Sequence, residues 1–131
     1  MKIIYLALSG LLLATSATAG DTTPQKLIAG FAAQAGSTPS ATRGKAFFTG
    51  KHTGGKPETP SCLTCHTSNL KGIGHTRAGK EIAPMAHSAN PQRFTDSAKV
   101  AKWFRRNCKT VTGRECSAAQ KADILAYLSS I

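Results

Sequence analysis

Apolar positions along this chain recur at helical spacing in four stretches, and no stretch alternates with the two-residue period of a strand. Leu27, Ile28 and Phe31 share one face of a helix predicted over Pro24–Ala35, with Thr23 as N-cap, Pro24 at the first helical position and Gly36 past the end. A second helix is predicted over Ala41–Thr49, opened by Ser40 and stopped by Gly50. A third, over about 96–106 behind a Thr95 cap, puts Val100, Trp103 and Phe104 together. The last, over about 118–130, carries Ile124, Leu125 and Leu128, and Ser117 with Gln120 has the spacing of a capping box. Residues 51–60 are rich in Gly and Pro, and Gly72, Gly74, Gly79, Pro84 and Pro91 break any helical period over 68–91, so both stretches read as loops. The pattern predicts an all-α fold.

The first residues follow a different logic. Lys2 is a minimal basic region, 3–14 are largely apolar, and Ala17-Thr18-Ala19 has the small-x-small pattern that precedes a cut. Residues 1–19 are therefore expected to be a signal peptide, removed before Gly20. An uncleaved anchor is the alternative, but the apolar run is shorter than the roughly 20 residues that span a bilayer. Residues 20–131 then form one exported, periplasmic domain with a modest core.

Within that domain Cys62-Leu63-Thr64-Cys65-His66 carries the chemistry. Two thiols three positions apart can add to the two vinyl groups of one haem, and the following His66 supplies the proximal nitrogen to its iron. A competing reading is a zinc site of Cys62, Cys65, Cys108 and Cys116. Seven residues separate its second pair, beyond the usual spacing of about two to four. With the first pair committed to haem, Cys108 and Cys116 are each other's remaining candidates for a disulfide in an oxidising compartment.

Without Lys2 the chain has 16 Lys+Arg against 6 Asp+Glu, a formal charge of +10. Two haem propionates would bring that to about +8. No nucleic-acid motif accompanies the charge and the few aromatics look buried, so an acidic redox partner is the better expectation than nucleic acid. A solvated basic surface is the bland alternative.

The sixth iron position is open on spacing alone. Met85 follows His66 by 19 positions, earlier than a ligand methionine usually falls; His52, His75 and His87 lie in polar loops; an empty site is a further option. Before the last helix, where a methionine is normally expected, stands Arg105-Arg106-Asn107-Cys108. An asparagine there is also common as a helix C-terminal residue.

Gly44 and Phe48, with Ile124 and Tyr127, resemble the small-plus-aromatic contact where the terminal helices of class I cytochromes c cross. The whole chain from Gly20 resembles the sphaeroides haem protein family of oxygen-binding c-type cytochromes. The resemblance is carried by Gly20-Asp21-Thr22, Gly54-Gly55-Lys56-Pro57, Gly79-Lys80-Glu81-Ile82-Ala83-Pro84, Arg93-Phe94-Thr95-Asp96-Ser97, Arg106-Asn107-Cys108, Gly113-Arg114 and Cys116. It implies a cytochrome c-like fold with an additional N-terminal helix and one covalent haem c on Cys62 and Cys65. It further implies His66 and Asn107 as iron ligands, Asn107 holding ferric iron, and a Cys108–Cys116 bridge. The implied function is electron transfer with binding of O2, NO or CO on reduction, and the implied partners are a dihaem cytochrome c and a membrane b-type cytochrome. A haem enzyme acting on O2, NO or peroxide, with Arg105 and Arg106 flanking the site, and a plain His/Met electron carrier are the alternatives. The Pro84 carbonyl is expected to accept the His66 Nδ1 proton and orient the ring.

Overall fold

The Thr23 and Ser40 side chains accept hydrogen bonds from the backbone N–H groups of Lys26 and Arg43, each at 3.2 Å, and so start the first two helices where the sequence put them. A computed structural model describes residues 20–131; the expected signal peptide lies outside the described residues. The elements are α1 Pro24–Ala35, α2 Ala41–Thr49, α3 Leu63–His66, β1 Gly74–His75, β2 Glu81–Ile82, α4 Ser97–Thr112 and α5 Ala118–Ser129. The two strands form a minimal antiparallel pair, Gly74 facing Ile82 and His75 facing Glu81. Strands of two residues bury too little to leave an alternating pattern, so no period of apolar positions marks them.

Helix α5 is the hub, packed by both α1 and α2. Leu125 and Leu128 on it are fully buried. Its capping box is complete: Gln120 N–H donates to the Ser117 hydroxyl at 3.2 Å, and Ser117 N–H donates to Gln120 Oε1 at 2.9 Å. The α2–α5 crossing is close because Gly44 has no side chain, and the Phe48 and Tyr127 rings meet beside it with centroids 6.2 Å apart. Asp123 on α5 is buried and reaches across, accepting from Ser40 N–H at 2.6 Å and from Arg43 Nε and Nη2 at 2.7 and 2.9 Å. The additional helix α1 leans on α5 and touches α4 through an edge-on contact of Phe31 with Phe104, 6.0 Å between centroids.

Helix α4 differs from expectation at both ends. Its N-cap is Asp96, whose carboxylate accepts from Lys99 N–H at 2.8 Å; the Thr95 hydroxyl instead donates to Gln92 O at 2.9 Å. Asp21 at the chain start accepts from Ser97 N–H at 2.8 Å and from the Ser97 hydroxyl, tying the N-terminus to this cap. The helix then runs past Arg106 to Thr112. Asn107, Thr110, Val111 and Thr112 are weak helix formers, which hid the extension, but the spacing of Val100, Phe104, Cys108 and Val111 continues the inward stripe. Gly113, at φ 74°, ends it, and a Cβ there would stand 2.1 Å from the Gly54 carbonyl oxygen. Asn107 and Cys108 therefore belong to a helix interior and not to a loop. Among the described residues, no helix is long and apolar enough to cross a membrane.

Candidate haem site

The first turn of α3 sets the geometry of the cysteine motif. Cys65 and His66 N–H both donate to the Cys62 carbonyl, at 3.3 and 3.2 Å, so one helical turn brings Cys62 and Cys65 to the same side with His66 beside them. All three line a cavity of about 660 Å³. Its walls are largely apolar, with Phe47 and Phe48 from α2, Ile82 from β2, Phe94 from the loop and Val100 and Phe104 from α4. The size lies within the ordinary range for small-molecule and cofactor cavities, roughly 300–1,000 Å³.

Cys62 and Cys65 are both free thiols, half-buried at the wall. Burial pushes the Cys62 thiol up to about 11, so in the haem-free chain it stays protonated near neutrality. Burial pushes His66 down to about 4, and the positive charge of Arg93 acts in the same direction. A neutral imidazole is the form that binds metal. The His66 ring also lies 5.7 Å from the Phe48 ring, centroid to centroid, which limits its orientation. Paired free thiols, a neutral imidazole and an apolar chamber fit a covalently tethered haem.

The expected acceptor for His66 Nδ1 is not at hand. That nitrogen is buried without a partner, whereas the Pro84 carbonyl receives Arg93 Nε at 3.0 Å and Asn90 Nδ2 at 3.4 Å. A carbonyl oxygen has two lone pairs, and Arg93 and Asn90 take both.

Of the candidate distal residues, Asn107 and Met85 line the cavity; His52, His75 and His87 do not. His52 Nε2 is bonded to the Phe47 carbonyl at 2.8 Å, His75 sits exposed on β1, and His87 Nδ1 is buried elsewhere without a partner. Asn107 is an exposed residue of α4 that lines the cavity, one turn after Trp103 and beside Cys108. Arg105 and Arg106 are exposed and stand outside the lining. Trp103 is 48% exposed at the cavity edge, with Lys102 Nζ and Arg106 Cζ at 5.3 and 5.7 Å from its ring, so the aromatics are not all buried as expected.

Cys108 and Cys116 form a disulfide, Cα atoms 5.6 Å apart, joining α4 to the segment that starts α5. With both sulfurs bonded to each other, the four-cysteine zinc reading has lost two of its ligands. Sequence reasoning attached no role to Arg93, which lines the cavity half-buried. Its one signal was an arginine beside an aromatic in a loop, too common to act on.

Comparison with known proteins bears on this site. Residues 34–128 match a family model described as a domain of unknown function, DUF1924. The chain is 56% identical over 126 residues to cytochrome c-type protein SHP of Cereibacter sphaeroides, covering 96% of this chain and 97% of that protein. It is 37% identical over 136 residues to cytochrome c'' of Methylophilus methylotrophus, covering 98% and 94%. The structure of oxidised SHP, an oxygen-binding cytochrome c, superposes with a TM-score of 0.83 over 86% of this chain and 100% of that one. A solution structure of cytochrome c'', solved for the structural basis of haem-ligand detachment, gives 0.66 at 37% identity over 80% and 90%.

Proposed function

The chain belongs to the SHP family of c-type cytochromes and carries haem c covalently, and from that premise we propose that it is a periplasmic electron carrier that binds O2, NO or CO when reduced. The observation carrying this reading is that Cys62, Cys65, His66 and Asn107 line one cavity. Haem supplies an iron that, oxidised, accepts hard oxygen donors and, reduced, prefers softer or π-accepting ligands.

Cys62 and Cys65 would tether the haem as thioethers, and His66 would give its neutral imidazole to the iron. The Asn107 side-chain oxygen is a weak, hard donor that would hold oxidised iron and bind reduced iron poorly. Its amide N–H groups could then donate a hydrogen bond to a bound gas. The haem-ligand detachment studied in cytochrome c'' and the oxygen binding of SHP support this by likeness. The leader pattern of 1–19 supports export, and the basic balance supports an acidic partner such as a dihaem cytochrome c, with a membrane b-type cytochrome in the same chain of electron transfer.

The test is CO uptake followed in both oxidation states, with Asn107→Ala beside the wild type. Wild type should take CO only after reduction, and Asn107→Ala should change the oxidised spectrum; an unchanged oxidised spectrum would remove Asn107 as ligand. Met85 lines the same cavity and keeps a plain His/Met carrier in view, which Met85→Leu tests through loss of a near-infrared sulfur-to-iron band. A haem enzyme acting on peroxide has less support, since among the described residues His66 is the single lining histidine and neither Arg105 nor Arg106 lines the cavity.

A further inference from the structure

Five consecutive residues, Gln92 to Asp96, line the cavity just before α4. Phe94 among them has φ 68°, a left-handed backbone that aromatic residues rarely adopt. That turn lets Arg93 and Phe94, neighbours in sequence, both face the chamber.

Arg93 is fixed rather than free. Its Nε donates to Pro84 O at 3.0 Å and its Nη2 to Ala83 O, so two backbone carbonyls lock the plane of the guanidinium. It is half-buried, and burial lowers its pKa from the ordinary arginine value. None of the ion pairs among the described residues includes it. The other charged groups lining the cavity are Lys80, Glu81, Asp96 and Lys99. Asp96 is held by Lys99, Nζ to Oδ2 3.3 Å, and by the α4 N-terminus, while Glu81 is exposed on β2. A half-desolvated, permanently charged fork thus lines the chamber with no carboxylate of the described residues paired to it. Of its five N–H donors, three remain unused.

We propose that Arg93 is the binding residue for a haem carboxylate, holding one propionate through the N–H groups that Ala83 and Pro84 leave free. This rests on the cytochrome reading above. A propionate ends in the planar carboxylate that an arginine fork matches, and haem is the group that carries carboxylates into this cavity. The pairing satisfies the guanidinium, keeps that propionate ionised and places a compensated charge beside the iron. Lys80 and Lys99, both exposed, lack the two backbone anchors and cannot offer the same preorganised fork.

The test uses the holoprotein with Arg93→Gln and Arg93→Lys, following reduction potential against pH across the neutral range. Arg93→Gln should keep its covalent haem and lower the potential near neutrality, because a positive charge that favours the added electron is gone. The released propionate should then take up a proton within the measured range, so the potential rises as pH falls where wild type is flat. Arg93→Lys should recover part of the wild-type potential. A potential and pH profile unchanged in Arg93→Gln, even with a lower melting temperature, would reduce Arg93 to a tie between loops and overturn the proposal. That outcome, in a variant with intact covalent haem, leaves the cytochrome reading standing. In the wild type itself, infrared carboxylate bands should show one propionate ionised well below the pH at which the other protonates; two that titrate together would overturn the proposal without any variant.

Discussion

Gly44 and Asp123 are in direct contact: a Cβ on Gly44 would stand 1.9 Å from the Asp123 carbonyl oxygen and 2.4 Å from its carbonyl carbon. No side chain fits there, and both close atoms are backbone, so the only relief is to part α2 from α5. That crossing carries Phe48, which faces both Tyr127 and His66.

Gly44→Ala is therefore expected to lower stability by about 1–3 kcal/mol or more, the usual range for overpacking a closed contact. Gly30→Ala on α1, where nothing lies within 4 Å of the new methyl, should instead stabilise by roughly 0.5–1 kcal/mol through helix propensity. Thermal unfolding of the two variants side by side checks both; equal melting temperatures would contradict the contact.

Asp123→Ala removes the acceptor for Ser40 N–H and for two Arg43 donors. A backbone N–H left without a partner at a half-buried helix start is the larger part of the loss, on the order of 1–3 kcal/mol. Asp123→Asn, which still accepts one bond, should fall between Ala and wild type in urea unfolding.

Replacing Cys108 and Cys116 together by Ser opens a loop with a sequence separation of 8. On the chain-entropy account the cost is about 2–3 kcal/mol. Guanidinium unfolding of the haem-loaded double variant measures it, and a midpoint equal to wild type would show that haem alone fixes this end of α4.

Acid should loosen the start of α4. Hydrogen bonds from the Ser97 side chain and then its backbone hold Asp21 below its ordinary 3.8, and the Lys99 N–H does the same to Asp96. A carboxylate with a lowered folded-state pKa stabilises fully above its unfolded value and loses that contribution as pH falls through the lowered one. Melting temperature should thus drop below about pH 4, and Asp21→Asn with Asp96→Asn should flatten that drop.

Much of this was legible because it rests on local chemistry. Thr23, Ser40 and the Ser117–Gln120 box start helices through bonds three residues long, and the Gly44–Phe48–Ile124–Tyr127 crossing follows from residue size at helical spacing. The end of α4 was hidden because Thr110 and Thr112 have poor intrinsic propensity, and their hydroxyls bond back to Arg106 O and Cys108 O at 3.0 and 2.8 Å within the helix. Arg93 was hidden for another reason. What marks it is a pair of carbonyls nine and ten positions earlier and the lack of a counter-ion, which only folding brings together.

Asn107 stands inside α4, with Cys108 beside it stapled toward α5, so helix hydrogen bonding and a covalent bridge both restrain its backbone. As the iron ligand proposed above, its amide would come and go by turning about its two side-chain torsions. On the proposed reading, gas admission would be a rotamer event at one side chain of α4, on the timescale of side-chain motion.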